Sequence, residues 1–291
     1  MLVDLLTLKT ADGVSLDGVL RLPEVETDLT LPVDVVIMHH GVGGNFYRDS
    51  FQDLIATKLL ERGCAVLRVN NRGHDLAYNA PPPHRRIGAA FENVDECRQD
   101  WKTWIDYAEH RGFSNICVWG HSLGAVKNIY YLATENDPRI ARAIATSPPR
   151  FSYSAYIAHA DGHLFAASAK EGQALIDAGR PDAIFAIEIP TSAIMTPKTF
   201  FDKYGPEERY DILKLLPQII NVAKTPLLVT IGSLEGRPKN PDRFAFQGLG
   251  DKVSALAKGN LTYRLVESAD HSYTGVTDKL WQAIEGWLGE L

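Results

Sequence analysis

Residues 118–126 read V-W-G-H-S-L-G-A-V, and Ser122 sits at the centre of a G-x-S-x-G pattern between an apolar run and a helix-forming one. A serine in that setting can act as a nucleophile. A chain that turns from strand to helix within a residue or two strains its pivot. It also brings the positions two before and two after against other backbone, where a Cβ would clash, and Gly120 and Gly124 meet that demand. The turn lifts the Ser122 hydroxyl clear of the sheet and sets it at a helix start. Free N–H groups and the positive dipole end favour developing negative charge there, and the Leu123 N–H is placed to donate to an oxyanion. The chemistry this allows is attack on an acyl carbonyl through a covalent intermediate. A glycine-rich turn has the same local pattern, so the chemical reading requires a strand before, a helix after, and a histidine and an acid later in the chain.

The elements that must hold Ser122 follow from periodicity. Residues 2–22 read as an antiparallel hairpin turning at Asp12-Gly13. Residues 33–39 form a near-continuous apolar run of strand length, the mark of a strand covered on both faces, and end in H-H-G-V-G-G-N. Residues 50–62 have helical spacing stopped by Gly63, and 65–69 is a strand leading into N-N-R-G-H-D. A long amphipathic helix is expected over 91–110, a strand over 115–119, a helix over 123–134 and a strand over 140–146. This alternation predicts a mostly parallel sheet with helices on both faces and sites at the carboxyl ends of its strands. From 147 to 224 the alternation breaks into Pro- and Gly-rich, aromatic segments, which read as an inserted cap. Regular order resumes with a strand at 226–231, a mostly helical stretch at 242–258, a strand at 261–266 and an amphipathic helix at 277–288. The division expected is a core of residues 1–146 and 225–291 and a cap of residues 147–224.

Composition bounds the partners. The chain has 291 residues, 45% of them hydrophobic, and a net charge of −6 with both signs interspersed, which excludes a basic stripe for nucleic acid or a polybasic membrane patch. No stretch is long and apolar enough to span a bilayer. Cys64, Cys97 and Cys117 are odd in number and set in apolar surroundings, as for reduced thiols, and the first residues lack the pattern of a secretion signal. A cytoplasmic location is the expectation. No cofactor is implied, because G-V-G-G fails the dinucleotide pattern. No metal is expected either, since His159 and His163, at i, i+4 spacing, have no third ligand nearby. Oligomeric state leaves no trace in the sequence.

With G-H-S-L-G-A, H-H-G-V-G-G-N, T-P-L-L-V-T-I-G-S-L-E and L-V-E-S-A-D-H-S-Y in this order, the sequence resembles the α/β-hydrolase superfamily, along the whole chain outside the cap. The resemblance implies an α/β-hydrolase fold in which the acid follows the strand after the cap and the histidine follows the last strand. Glu235 takes the acid position and His271 the histidine position. Glutamate departs from the commoner aspartate but still offers a carboxylate to the imidazole. Asp242, deeper in the same loop, is the rival acid, while Asp270 is expected to cap or be solvated. The loop 39–45 resembles the oxyanion-hole loop and puts the Val42 N–H beside that of Leu123. One of His39 and His40 is expected to hydrogen-bond loop backbone. Arg72 and His74 are expected to brace the site from behind, and His121 to pack beneath or beside the pocket.

The reading is a serine hydrolase that cleaves a carboxylic ester or related acyl bond by way of Ser122, His271 and Glu235. A slow or inactive ligand receptor on the same scaffold and an acyltransferase are the alternatives. The aromatic richness of the cap predicts a small-molecule acyl substrate with an apolar or aromatic moiety, contacted by Tyr153, Tyr156, Phe201 and Met195.

Overall fold

The computed structural model describes residues 3–24, 27–48, 50–80, 85–237 and 244–290. The hairpin is present: β1 (Asp4–Lys9) pairs antiparallel with β2 (Ser15–Arg21). Its turn is wider than two residues, running from Thr10 to Val14 with Gly13 at φ 88°. The chain continues through β3 (Val35–His39), α1 (Phe51–Glu61), β4 (Ala65–Val69), a small antiparallel pair β5 (Tyr78–Ala80) and β6 (Arg85–Ile87), α2 (Cys97–His110), β7 (Ile116–His121), α3 (Leu123–Glu135) and β8 (Ile140–Thr146). The helix expected from 91 starts only at Cys97. Asn93 accepts the Asp95 N–H and caps a 3₁₀ turn over Val94–Glu96 instead.

The main sheet has the order β1-β2-β4-β3-β7-β8, followed by β11 (Leu227–Gly232) and β12 (Leu261–Val266). From β4 onward its neighbours are parallel. The strands in its middle are buried on both faces, and their side chains alternate between two cores. Val35 and Ile37 of β3 and Ile116 and Val118 of β7 point into one core, which holds Trp101 and Trp104 of α2 and Ile129 of α3. Val36, Met38, Cys117 and Trp119 point into the other, with Ile55 and Leu59 of α1 and Trp281 and Trp287 of α9 (Thr277–Gly289). The period of two divides each strand between two helical layers, which is why the runs read as uninterrupted hydrophobics.

Between β8 and β11 lie α4 (Tyr153–Ile157), α5 (Gly162–Asp177), the short pair β9 (Phe185–Ile187) and β10 (Ala193–Met195), α6 (Pro197–Tyr204) and α7 (Ile212–Val222). α4, α5, β9 and α6 pack on one another, whereas α7 lies against α3 and α8 (Leu249–Leu256). α7, which falls inside the expected cap segment, thus packs on helices of the main layer. Ile212, Leu215, Leu216 and Ile219 are buried along one side of α7, as for a crossover helix of the main layer. The helical stretch expected over 242–258 is reduced to α8 among the described residues, since Gly248, at φ 66°, precedes its first turn.

A buried charge cluster ties α6 to α3 through Glu92. The Glu92 carboxylate receives Lys127 of α3 and, at 3.0 Å, Lys203 of α6, and Lys127 Nζ also donates to Asn71 Oδ1 at 2.7 Å. Burial raises the Glu92 pKa, but the two ammonium groups outweigh it and hold it at about 2. Because the folded value lies below the ordinary 4.5, the stabilisation is fully present above about pH 4.5. It is lost as pH falls from there toward 2. Glu92→Gln leaves two buried ammonium groups without a counter-charge and is expected to cost about 3 kcal/mol or more of unfolding free energy at neutral pH. It should also flatten the loss of stability on acidification between pH 4.5 and 2. Denaturant titrations at both ends of that range check it, and an unchanged acid slope would refute the assignment.

Candidate active site

β7 ends at His121, and Ser122 turns the chain into α3 with φ 55° and ψ −123°, a strained conformation for a residue with a Cβ. Its N–H donates to the Thr146 carbonyl of β8 at 3.0 Å, and its own carbonyl accepts from Ala125 and Val126, which starts the helix. The two glycines are required as expected. A Cβ on Gly120 would lie 2.1 Å from the Gly124 carbonyl oxygen, and one on Gly124 would lie 2.5 Å from the His40 carbonyl oxygen. The second clash couples the serine turn to the loop after β3. That loop folds back through a Gly44 N–H to Gly41 carbonyl bond, with Gly43 at φ 60°. It runs so close to Ser122 that a Cβ on Gly41 would come within 3.0 Å of Ser122 Cβ. The N–H groups of Val42 and Leu123 donate to no acceptor among the described residues.

His271, in the turn after β12, places Nε2 2.9 Å from Ser122 Oγ and Nδ1 2.6 Å from Glu235 Oε1. The other oxygen, Oε2, accepts the Gly232 N–H and the Ser147 hydroxyl, each at 2.7 Å. Ser147 Oγ lies 2.9 Å from the Tyr273 hydroxyl, which in turn lies 3.0 Å from Thr230 Oγ1. A carboxylate only accepts, so Ser147 donates to Glu235, Tyr273 donates to Ser147 and Thr230 donates to Tyr273. Burial first, and the nearby Glu235 charge next, push the Tyr273 phenol well up and keep it a donor. The rival acid, Asp242, lies outside the described residues.

The other histidines fall into structural roles. His121 Nε2 donates to the His271 carbonyl at 2.8 Å, and burial followed by repulsion from His271 pushes its pKa down to about 3. It thus holds the loop after β12 as a neutral ring beside the pocket. His40 is the loop-bonding member of its pair. Its Nδ1 donates to the Gly41 carbonyl at 2.7 Å and its Nε2 accepts from the Asn71 N–H at 3.3 Å, with burial holding its pKa near 3. His39 stacks on Trp101 at 3.6 Å, wholly buried. Arg72 is buried against Asp100, Asp12 and Glu96 and fastens the loop behind the site to α2 and the hairpin turn. His74 pairs with Asp75. His159 Nδ1 accepts the Asp161 N–H, and no group of three metal-type ligands occurs among the described residues. Asp270 caps its own turn by accepting the Ser272 and Thr274 N–H groups.

A cavity of about 430 Å³ opens over Ser122 and His271, lined among the described residues by the loop after β3 from His40 to Arg48, by Ser50 and the start of α1, and by His121 and Ser272. None of Tyr153, Tyr156, Phe201 and Met195 lines it. Tyr156 and Met195 are buried. The Tyr156 ring packs 5.2 Å from Phe165, and its hydroxyl donates to the Arg150 carbonyl. Tyr153 lies edge-on to Phe165, and Phe201 edge-on to Phe200. Tyr156 and Met195 are thus interior to the segment between β8 and β11, and Tyr153 and Phe201 pack partly buried against the same cluster, because short helices packed on one another cover their rings. Tyr156→Ala is expected to destabilise the protein by about 3 kcal/mol, with the order of substrate preference unchanged. Thermal unfolding and a substrate series check the two halves. The rings that do face His271 are Phe244, stacked at 6.4 Å, and Phe246, edge-on at 5.6 Å, with Phe51 in the cavity wall. Sequence reasoning passed over these three, as it did Ser147 and Tyr273. A hydroxyl one residue beyond β8, at the carboxyl end of the sheet, was the one available signal.

A parallel-sheet fold with a serine elbow, a facing glycine loop, and a histidine and carboxylate on the two succeeding loops defines a class of hydrolase architecture. Residues 36–287 match the sequence profile of the Alpha/beta hydrolase family, and the chain belongs to that family. No curated protein matches the sequence significantly. Among solved structures, the chain is similar to Est1E from Butyrivibrio proteoclasticus, with 16% identity, a TM-score of 0.64 and 98% of each chain covered. It is also similar to the alpha/beta hydrolase GrgF from Penicillium sp. sh18, with 16% identity, a TM-score of 0.66, and 100% of this chain and 99% of the other covered. The esterase Pf2001 of Pyrococcus furiosus is 18% identical, with a TM-score of 0.59 and coverage of 99% and 92%. At these identities the likeness is one of fold.

Proposed function

We propose that this protein is a serine hydrolase that cleaves a carboxylic ester or a closely related acyl bond. One observation carries the proposal: the hydrogen-bonded line from the Glu235 carboxylate through both ring nitrogens of His271 to Ser122 Oγ. Glu235 accepts at Nδ1, so the neutral ring keeps its proton there and offers a free lone pair on Nε2 to the serine hydroxyl. His271 takes the Ser122 proton as Oγ bonds to the substrate carbonyl carbon. The carbonyl oxygen becomes an oxyanion held by the Val42 and Leu123 N–H groups. The carbon–oxygen bond to the alcohol then breaks and His271 Nε2 protonates the departing alkoxide, leaving an acyl-Ser122. Water, deprotonated by the same nitrogen, attacks the acyl carbon and releases the acid with Ser122 restored.

The two open N–H groups support the oxyanion assignment, and the esterases among the similar folds make an ester the first substrate to test. In this reading residues 147–224 are the cap. Among the described residues no helix is long and apolar enough to cross a membrane, and Cys64, Cys97 and Cys117 are buried free thiols, which supports the proposed cytoplasmic location. The test is labelling by a fluorophosphonate, with the adduct mapped by peptide mass spectrometry. Stoichiometric modification of Ser122, with loss of ester turnover, is expected. A folded protein that resists the probe yet binds ligand one to one would make it a receptor instead.

A further inference from the structure

Among the described residues that line the cavity over Ser122 there is no aspartate or glutamate, while Arg48 stands in its wall. Two other basic side chains there, His40 and His121, are held neutral by burial, each with a pKa near 3. Arg48 is exposed, and its guanidinium has no carboxylate partner among the described residues, unlike Arg68 nearby, which is paired with Asp53. Its position is built. The Arg48 N–H donates to Asn45 Oδ1 at 2.9 Å and its carbonyl accepts from Arg68 Nη2 at 3.2 Å. Asn45 Nδ2 donates in turn to Asp75, and the Phe46 N–H to Asn70 Oδ1, which fastens this loop to the segment after β4. Phe51 gives the same cavity an aromatic wall.

We propose that Arg48 selects substrates that carry a carboxylate or another anion beside an apolar body, so that the esters cleaved here are charged rather than neutral. The inference rests on the reading of Ser122 as nucleophile. A guanidinium offers paired donors matched to a carboxylate, and such charge-assisted bonds are stronger than neutral ones. Acidic side chains in the cavity would repel the same ligand, and the described lining has none. Because Arg48 is exposed, the preference weakens as salt is raised.

The test compares kcat/KM for two matched pairs of esters. One pair carries the charge on the acyl side, p-nitrophenyl hydrogen glutarate against p-nitrophenyl methyl glutarate. The other carries it on the leaving group, p-acetoxybenzoate against its methyl ester. In at least one pair the charged member is expected to lead by about tenfold. Arg48→Gln should abolish that lead, mainly through KM, and Arg48→Lys should retain part of it. The same ratio in wild type and Arg48→Gln for both pairs overturns the proposal. Calorimetric binding of phenoxybutyrate against its methyl ester reads the contact without turnover. A protein that cleaves no ester but still binds the acid through Arg48 would overturn the assigned reaction alone. A working esterase with no charge preference would overturn the role of Arg48 alone.

Discussion

Ser122→Ala is expected to lower kcat toward an ester by about 10⁴-fold or more while leaving the fold intact. The loss is large because Oγ forms the covalent bond, and without it His271 has no hydroxyl to deprotonate at 2.9 Å. What survives is the contribution of binding and of the oxyanion donors to direct attack by water. Folding should be spared because alanine keeps the Cβ. The cost of φ 55° and ψ −123° is then the same in both proteins, and the N–H to Thr146 and the carbonyl to Ala125 are backbone groups. His271→Ala should act on the same step and add little in the double variant, since the two residues work as one unit. Single-turnover kinetics on purified variants with matched circular dichroism decide it. Wild-type-like turnover in Ser122→Ala would remove the proposed mechanism.

Glu235→Gln is expected to reduce kcat by about 10³- to 10⁴-fold, through the tautomer of His271 rather than through lost packing. The Gly232 N–H and the Ser147 hydroxyl both donate to Oε2, so the glutamine carbonyl oxygen must occupy that place. Its NH₂ group then faces His271 Nδ1 and donates to it. A ring that accepts at Nδ1 carries its proton on Nε2, pointing at Ser122, and has no lone pair there to receive the serine proton. Asp242→Asn should cost far less. If it proves the more damaging of the two, the acid has been misassigned. Ser147→Ala should fall between wild type and Glu235→Gln, since it removes one of two donors to Oε2 and leaves the carboxylate in place.

Much of this arrangement was legible in the chain itself, and the reason is local. Buried central strands must be apolar on both faces, so β3, β4, β7 and β11 stand out as runs. The elbow at Ser122 needs glycine at position 120 because a Cβ there would clash with its own helix, whereas the need at position 124 comes from the loop after β3. The positions of Glu235 and His271 were readable through their order in the chain, since each follows a parallel strand at its carboxyl end. What side chains meet across the sheet has no such local signature. Ser147 and Tyr273, 126 residues apart, join in supporting Glu235 only because β8, β11 and the turn after β12 are neighbours in space. The cap aromatics illustrate the opposite failure. Their number was visible, but whether a ring faces a cavity or another ring depends on how short helices pack, and Tyr156 and Met195 face inward.

The sequence by itself therefore indicated the succession of strands and helices and the serine turn, since apolar periodicity and backbone sterics act over a few residues, and the resemblance to a known family pointed to the loops of Glu235 and His271. Tertiary structure alone decided which polar groups converge on the Glu235 carboxylate, that α7 packs on α3 and α8, and that Arg48, without a carboxylate partner among the described residues, borders the cavity over Ser122 where Tyr153, Tyr156, Phe201 and Met195 do not. Those depend on contacts between segments far apart in the chain, where the pattern of one segment carries no record of the other.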